Sequence, residues 1–158
     1  MNKTNIIAEP GKQEIIITRL FDAPRELIYK VITDPINIPK WWGPKYLTTF
    51  VDKMEVIPGG MWRYIQHDKQ GNEFTFHGFY HQISKPERLV YTFEFEGIPG
   101  HILLETITFK DMNGQTIMTD KSVFQSVEDR DGMLQSGMET GADETMERLN
   151  ELLHSIKQ

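Results

Sequence analysis

Two acidic residues lie within predicted strands rather than in turns, and they are the first candidates for chemistry. Glu105 alternates with Leu103 and Ile107, and Asp120 alternates with Met118. Because alternate residues of a strand share one face of a sheet, both carboxyl groups can point into the protein interior. An interior carboxyl group has a raised pKa and can act as an acid or a base. Two other interpretations stay open: this strand face meets solvent here, or Glu105 pairs with an arginine.

Two histidines, His77 and His81, have the H-x-x-x-H spacing that places two metal ligands on one face of a helix. Their neighbours Phe74, Phe76 and Phe79 indicate a strand instead. Along a strand four residues span about 13 Å, whereas zinc binds each histidine nitrogen at about 2.1 Å. The spacing therefore predicts no metal site, and we expect no cofactor.

The chain lacks the usual elements of nucleophilic catalysis and phosphate binding. It contains no cysteine, no Gly-x-Ser-x-Gly sequence and no glycine-rich loop ahead of a helix. Without cysteine there are no disulfides and no thiolate ligands, which is compatible with a reducing cytoplasm. No catalytic residue is identified, so we expect a binding protein more readily than an enzyme.

Composition and charge narrow the classes of partner. The 158 residues, 39% of them apolar and 25% charged, fit one globular domain. The net charge is −6 and no run of lysine or arginine occurs, which argues against nucleic acid as a partner. The longest apolar stretches fall far short of the roughly 20 residues that span a bilayer. The N-terminus has no signal-peptide pattern, so we expect a cytoplasmic protein without membrane insertion.

The elements that position the candidate residues begin with a strand. Residues 1–12 are polar, contain a Pro-Gly pair and are predicted to be a flexible tail, followed by a single domain over residues 13–158. Residues 14–21 are β-branched and apolar, which predicts a strand. Pro24 then starts a helix whose apolar residues recur at 3.6-residue spacing, and a second short helix ends before Pro44.

Residues 46–124 have the pattern of an antiparallel meander. Turn-forming segments separate the strands at residues 58–60, 68–72, 85–87, 97–100 and 113–114. Connections this short join neighbouring antiparallel strands and leave no room for crossover helices.

The chain ends with a helical pattern. Ser126 has an acidic residue three positions later, as a helix N-cap does, and apolar residues from Leu134 to Ile156 recur every three or four positions. The pattern predicts one amphipathic helix of about seven turns. The predicted fold class is therefore α+β: a curved antiparallel sheet wrapped around a long C-terminal helix, with two short helices after the first strand.

Several motifs in this order resemble the activator-of-Hsp90-ATPase-homologue family, part of the START-like, helix-grip superfamily. Residues 19–28 are similar to the family's opening, and 34–44 and 58–63 to its next segments. Residues 78–92 resemble its central hairpin and 136–153 its C-terminal helix. The resemblance implies a helix-grip fold with a cavity between sheet and helix. It does not imply a particular ligand.

Three hypotheses follow from the resemblance and from the aromatic and methionine residues. The first is binding of a small apolar or aromatic ligand in an internal cavity. The second is a co-chaperone with a heat-shock ATPase as its partner, although the additional N-terminal docking domain of such co-chaperones is not expected here. The third is a polyketide cyclase-like enzyme. The predicted ligand-binding residues are Trp62, Tyr64, His77, Tyr91, Phe93, Glu105, Phe109, Met118, Asp120, Met133, Met138 and Met146, with Trp41 and Trp42 at the cavity mouth.

Overall fold

An eight-stranded antiparallel sheet is the frame of residues 3–157, the part of the chain that the computed structural model describes. All five predicted turns lie between its strands, and the first strand predicted over residues 14–21 is confirmed. The strands are β1 (Asn5–Ile7), β2 (Glu14–Phe21), β3 (Thr48–Met54), β4 (Met61–His67), β5 (Glu73–Ser84), β6 (Arg88–Phe95), β7 (Ile102–Met112) and β8 (Gln115–Val123). Across the sheet they follow the order β1-β2-β8-β7-β6-β5-β4-β3. The last strand of the meander thus pairs with the first long strand of the chain.

The N-terminal segment differs from the prediction of a flexible tail. Residues Asn5–Ile7 pair antiparallel with β2, with Ile6 opposite Ile17. Gly11 turns the chain back with a φ of 76°, a conformation that glycine adopts without steric cost. The tail prediction was wrong for β1 because a three-residue apolar edge strand is too short to give a periodic signal. Met1 and Asn2, also part of that prediction, lie outside the described residues.

Two short helices follow β2 as predicted: α1 (Arg25–Ile32) and α2 (Ile38–Trp41). In the apolar stripe of α1, Ile28 and Val31 are at most 1% exposed and Ile32 is also buried, whereas Leu27 is half-buried. They pack with Phe21 of β2 and with Leu149 and the inner face of the sheet in the main hydrophobic core. Burying this stripe is what holds so short a helix in place, because an isolated helix of eight residues is unstable in water.

The C-terminal segment forms two helices, α3 (Val127–Gln135) and α4 (Met138–Lys157), not the single helix of seven turns that the sequence predicts. The predicted N-cap is confirmed, since the Ser126 side chain accepts a hydrogen bond from the Asp129 backbone amide at 3.0 Å. The break lies at Gly137, whose φ of 85° is incompatible with a right-handed helix. The apolar spacing continues across the break, so periodicity alone did not reveal it.

Arginine side chains fix these helices against the rest of the chain. Arg130 of α3 is 2% exposed and donates to the carbonyl oxygens of Glu9 at 2.8 Å and Glu14 at 3.3 Å. Arg148 of α4 donates to the Gly43 carbonyl oxygen at 2.6 Å, just after α2. α3 is therefore docked on the N-terminal segment, and α4 on the segment that follows α2.

Candidate functional site

Two spaces lie between the inner face of the sheet and the helices. The first, which we call the inner chamber, has a volume of about 50 Å³ and is walled by aromatic residues of α2, β4 and β6. The second, the outer cavity, has a volume of about 480 Å³ and lies between α3 and the ends of β5, β6 and β7. Phe93 lines both spaces, so its side chain is a wall that they share.

Two pairs of aromatic rings in the walls of the inner chamber meet nearly at right angles. The Trp42 ring lies 4.9 Å from that of Tyr64 at 79°, and the Trp62 ring lies 6.0 Å from that of Tyr91 at 89°. Edge-to-face pairs of this kind stabilise their arrangement beyond the burial of area. Trp62 is further held by its Nε1, which donates to the Thr92 carbonyl oxygen at 3.1 Å.

A carboxyl pair lies on the inner face beside this chamber. Glu105, which lines the chamber, is opposite Ser122 in the β7–β8 register, and Asp120 is opposite Ile107. The Ser122 hydroxyl donates to Glu105 Oε1 at 3.4 Å, and the two carboxyl groups are within hydrogen-bonding reach of each other. Of the two interpretations left open for Glu105, neither holds among the described residues: the side chain points inward, and its partners are Asp120, Ser122 and Tyr91 rather than an arginine.

Burial raises the pKa of both carboxyl groups, because water no longer stabilises the charged forms. The pKa of Asp120 rises to about 6, and that of Glu105 rises well above its usual range since the neighbouring Asp120 charge adds to the burial. Burial thus favours a proton on each group, and the hydrogen bond between them lowers the pKa of Asp120 relative to that of Glu105. A protonated Glu105 donates to Asp120, which lets two close carboxyl groups coexist away from water.

Polar atoms of both signs near the chamber lack partners. Within the described part of the chain, Asp120 Oδ1, Trp41 Nε1 and the Tyr29 hydroxyl are buried without a hydrogen-bond partner. Buried polar groups in native proteins are nearly always paired with protein, water or ligand. Of these residues Trp41 lines the inner chamber and Asp120 stands behind Glu105 in its wall, so the chamber offers polar groups with which another molecule can pair.

The outer cavity has a different chemistry. Its walls are apolar, formed by aromatic rings of β5 and β6 together with Phe124 and Met133. Polar groups lie among its remaining residues, including His101, whose Nδ1 lies 3.0 Å from the Asp129 carboxylate. The cavity therefore suits an apolar molecule.

A protein-family model described as "Activator of Hsp90 ATPase homolog 1-like protein" matches residues 22–154 of the chain. The chain belongs to this family. The resemblance seen in the sequence motifs is thereby confirmed. No curated protein matches the chain significantly.

Solved structures of other proteins share the fold of this member of the Hsp90-ATPase-activator homologue family. A protein from Arthrobacter aurescens is 24% identical, with a TM-score of 0.88 over 96% of this chain and 91% of that one. One from Rhodobacter sphaeroides is 22% identical, with a TM-score of 0.89 over 97% and 99%. An AHSA1 protein from Silicibacter pomeroyi is 16% identical, with a TM-score of 0.74 over 92% and 99%. At these identities the likeness shows the fold, and it confirms the predicted helix-grip architecture.

In this member of the Hsp90-ATPase-activator homologue family, the predicted ligand-binding residues fall into three groups. One group lines the inner chamber or stands directly behind it: Trp41, Trp42, Trp62, Tyr64, Tyr91, Phe93, Glu105 and Asp120. Met133 lines the outer cavity. Phe109, Met118 and Met146 are buried in the main core beside the chamber without lining either space, and Met138 packs with Ile15, Leu103 and Phe124 at the start of α4.

His77 is the exception, because it lies on the opposite face of the sheet. It is paired with Arg63 of β4 and Glu94 of β6, and its Nδ1 lies 2.9 Å from Glu96 Oε2. Arg63 binds the same Glu96 carboxylate at 2.8 Å, which makes this an ionic cluster on the outer face. The prediction that His77 lines the cavity was wrong because Phe76 and Gly78, its neighbours along β5, occupy the inward positions.

Several residues of the two spaces were not predicted. Phe95 shares a strand face with Tyr91 and Phe93, so alternation could have identified it. Tyr80 precedes an irregularity in the pairing of β5 and β6, and Phe124 follows the end of β8, so strand alternation gave no reliable face for either. Ser122 shares the face of Asp120, and its small hydroxyl carried no signal of its own.

Proposed function

We propose that the protein binds a small apolar or aromatic molecule in the space between the sheet and the C-terminal helices. The observation that carries this proposal is the outer cavity, because its 480 Å³ and apolar walls fall within the range of small-molecule sites. A bound apolar molecule regains the contacts that the cavity walls lack.

The test uses Gly132, which lines the outer cavity from α3 and has open space where a side chain would begin. We expect wild-type protein to bind the neutral fluorescent dye Nile red saturably. Gly132→Phe should place its ring in the cavity and abolish binding while leaving the free energy of unfolding equal or higher, since a helix gains from losing a glycine.

A matched control is available in the next helix. Gly141 of α4 also has open space at its Cβ position but lines neither space, so Gly141→Phe should bind Nile red like wild type. Equal binding by wild type and Gly132→Phe would place the dye outside the cavity and refute the proposal. Native mass spectrometry of freshly purified protein, searching for a co-purified small molecule, provides an independent measurement.

A second candidate function is regulation of a heat-shock ATPase, which the description of the family model favours. In that case the folded protein should bind a purified Hsp90-type chaperone and change its rate of ATP hydrolysis. Gly132→Phe should leave that effect intact if the chaperone contacts the outer surface. Absence of both binding and rate change would remove this candidate.

The third hypothesis, a cyclase-like enzyme, stays a prediction. A carboxyl group with a raised pKa at the wall of a cavity is suited to proton transfer. Turnover of a bound polyketide-like compound that is lost in Glu105→Gln would support it.

A further inference from the structure

The inner chamber has an unpaired donor in its wall and an unpaired acceptor directly behind that wall. Trp41 lines the chamber and is 7% exposed, and its Nε1 has no hydrogen-bond partner in the described part of the chain. The carboxyl pair lies at the same chamber through Glu105, and Asp120 Oδ1 behind it is also unpaired. A molecule that satisfies both must offer a hydrogen to the carboxyl pair and a lone pair to the indole.

We propose that the ligand carries a hydroxyl group, alcoholic or phenolic, which binds in the inner chamber between the Glu105–Asp120 pair and Trp41, while its apolar body lies in the outer cavity. This inference rests on the proposed function and adds the polar end of the ligand. A hydroxyl is the smallest neutral group that both donates and accepts a hydrogen bond.

Other polar groups fit these partners less well. An ammonium group only donates, so the Trp41 N–H stays unpaired. A carboxylate only accepts, so Asp120 Oδ1 stays unpaired. A hydrocarbon leaves both protein groups unpaired, which disfavours its binding at this end of the site.

The sizes of the two spaces agree with this orientation. A water molecule needs about 10–15 Å³ of the same kind of volume, so the 50 Å³ chamber holds a group of only a few atoms. The 480 Å³ outer cavity accepts the larger apolar part. Phe93, which lines both, provides an apolar surface for the atoms that join the two ends.

The experiment compares four compounds that share one skeleton: 4-phenylbutan-1-ol, 4-phenylbutylamine, 4-phenylbutanoate and butylbenzene. Each displaces Nile red from the wild-type protein at pH 7, and the inhibition constant is measured. We expect the alcohol to bind about five- to tenfold tighter than butylbenzene, and both charged compounds to bind more weakly than the alcohol. Trp41→Phe and Asp120→Asn should each reduce the preference for the alcohol to about twofold or less without weakening butylbenzene.

Glu94→Gln serves as the control, because Glu94 carries its carboxylate on the opposite face and is absent from the chamber. It should keep the wild-type preference. If butylbenzene binds as tightly as the alcohol, or if the amine binds best, the hydroxyl site is refuted while apolar binding stands. A preference for the alcohol that survives both Trp41→Phe and Asp120→Asn also refutes it. If neither Nile red nor any of the four compounds binds, both the proposed function and this inference fail.

Discussion

At the scale of single residues, the register of β7 and β8 determines the chemistry of the carboxyl pair, because it brings Glu105 and Asp120 together on the inner face of the sheet. Alternation with apolar neighbours made an inward orientation of Glu105 and Asp120 one of several interpretations, beside a solvent-facing strand and, for Glu105, pairing with an arginine. Their proximity was not predictable, because it depends on which residues of two strands face each other. The error at His77 arises because neighbouring residues of a strand point to opposite faces of the sheet, so a shift of one position changes the face.

The pKa of Asp120 leads to a prediction about stability and pH. Its value of about 6 in the folded protein exceeds the value of 3.8 for an unhindered aspartate. Between those values the folded state holds a proton that the unfolded state has lost, so wild-type stability falls as pH rises from about 4 to 6. Asp120→Asn lacks this titration. Its stability relative to wild type should therefore increase by roughly 2 kcal/mol between pH 4 and pH 7.

Urea unfolding of both proteins at several pH values measures this difference. Asp143→Asn, which alters an exposed carboxylate on α4, is the control and should follow the wild-type pH profile. A relative stability of Asp120→Asn that stays constant, or that falls as pH rises, contradicts the raised pKa of Asp120.

Gly78 supports a second prediction at the residue scale. It lies opposite Trp62, and a Cβ atom there would stand 1.7 Å from the Thr92 carbonyl oxygen and 2.7 Å from Trp62 Nε1. Gly78→Ala must therefore displace the indole or the strand, and we expect a loss of about 1–3 kcal/mol in unfolding free energy. Gly141→Ala, in open space on a helix, should be neutral or stabilising. Equal stability of the two variants in urea would contradict the close approach.

At the scale of elements, periodicity predicted β2, the turns of the meander and the apolar face of α1. These three predictions are correct because each feature depends on residues that are close in sequence. The edge strand β1 and the break between α3 and α4 depend on tertiary contacts and on one backbone conformation. At Gly137 the apolar spacing is the same on both sides of the break. The sequence therefore has the pattern of one continuous helix, although the structure has two helices.

The break between α3 and α4 can be tested with two glycines. Gly137 has a φ of 85°, where a residue with a Cβ atom is strained by roughly 1–2 kcal/mol. Gly132, inside α3, has no such φ and open space at its Cβ position. We expect Gly137→Ala to lower the unfolding free energy by about that amount, and Gly132→Ala to raise it by up to about 1 kcal/mol. A stabilising Gly137→Ala would mean that α3 and α4 form one helix.

At the scale of the whole molecule, different helices cover the two spaces on the inner face of the sheet. The inner chamber lies under α2 and the main core, whereas the outer cavity lies under α3. Within α3 Arg130 is the buried residue, and its partners are backbone carbonyls of the N-terminal segment. α3 is thus attached by the polar contacts of Arg130 and by Met133 and Leu134, which are only partly buried against Ile15, Leu103 and Phe124. The sequence alone does not predict this attachment of α3. The chain around β1 and β2 comes close to α3 only because of long-range strand pairing.

This attachment predicts that ligand binding stabilises α3 more than the rest of the fold. Local opening costs least where few apolar contacts are buried, and a ligand in the outer cavity adds such contacts through Gly132 and Met133. Hydrogen exchange followed by mass spectrometry, with and without saturating Nile red, should show slower exchange in residues 127–135 and unchanged exchange in β3, at the far edge of the sheet. In Gly132→Phe the same helix should exchange slowly without the dye and show no further change on its addition. Equal protection of α3 and β3 would indicate only global stabilisation by mass action, and a change confined to β3 would place the ligand elsewhere.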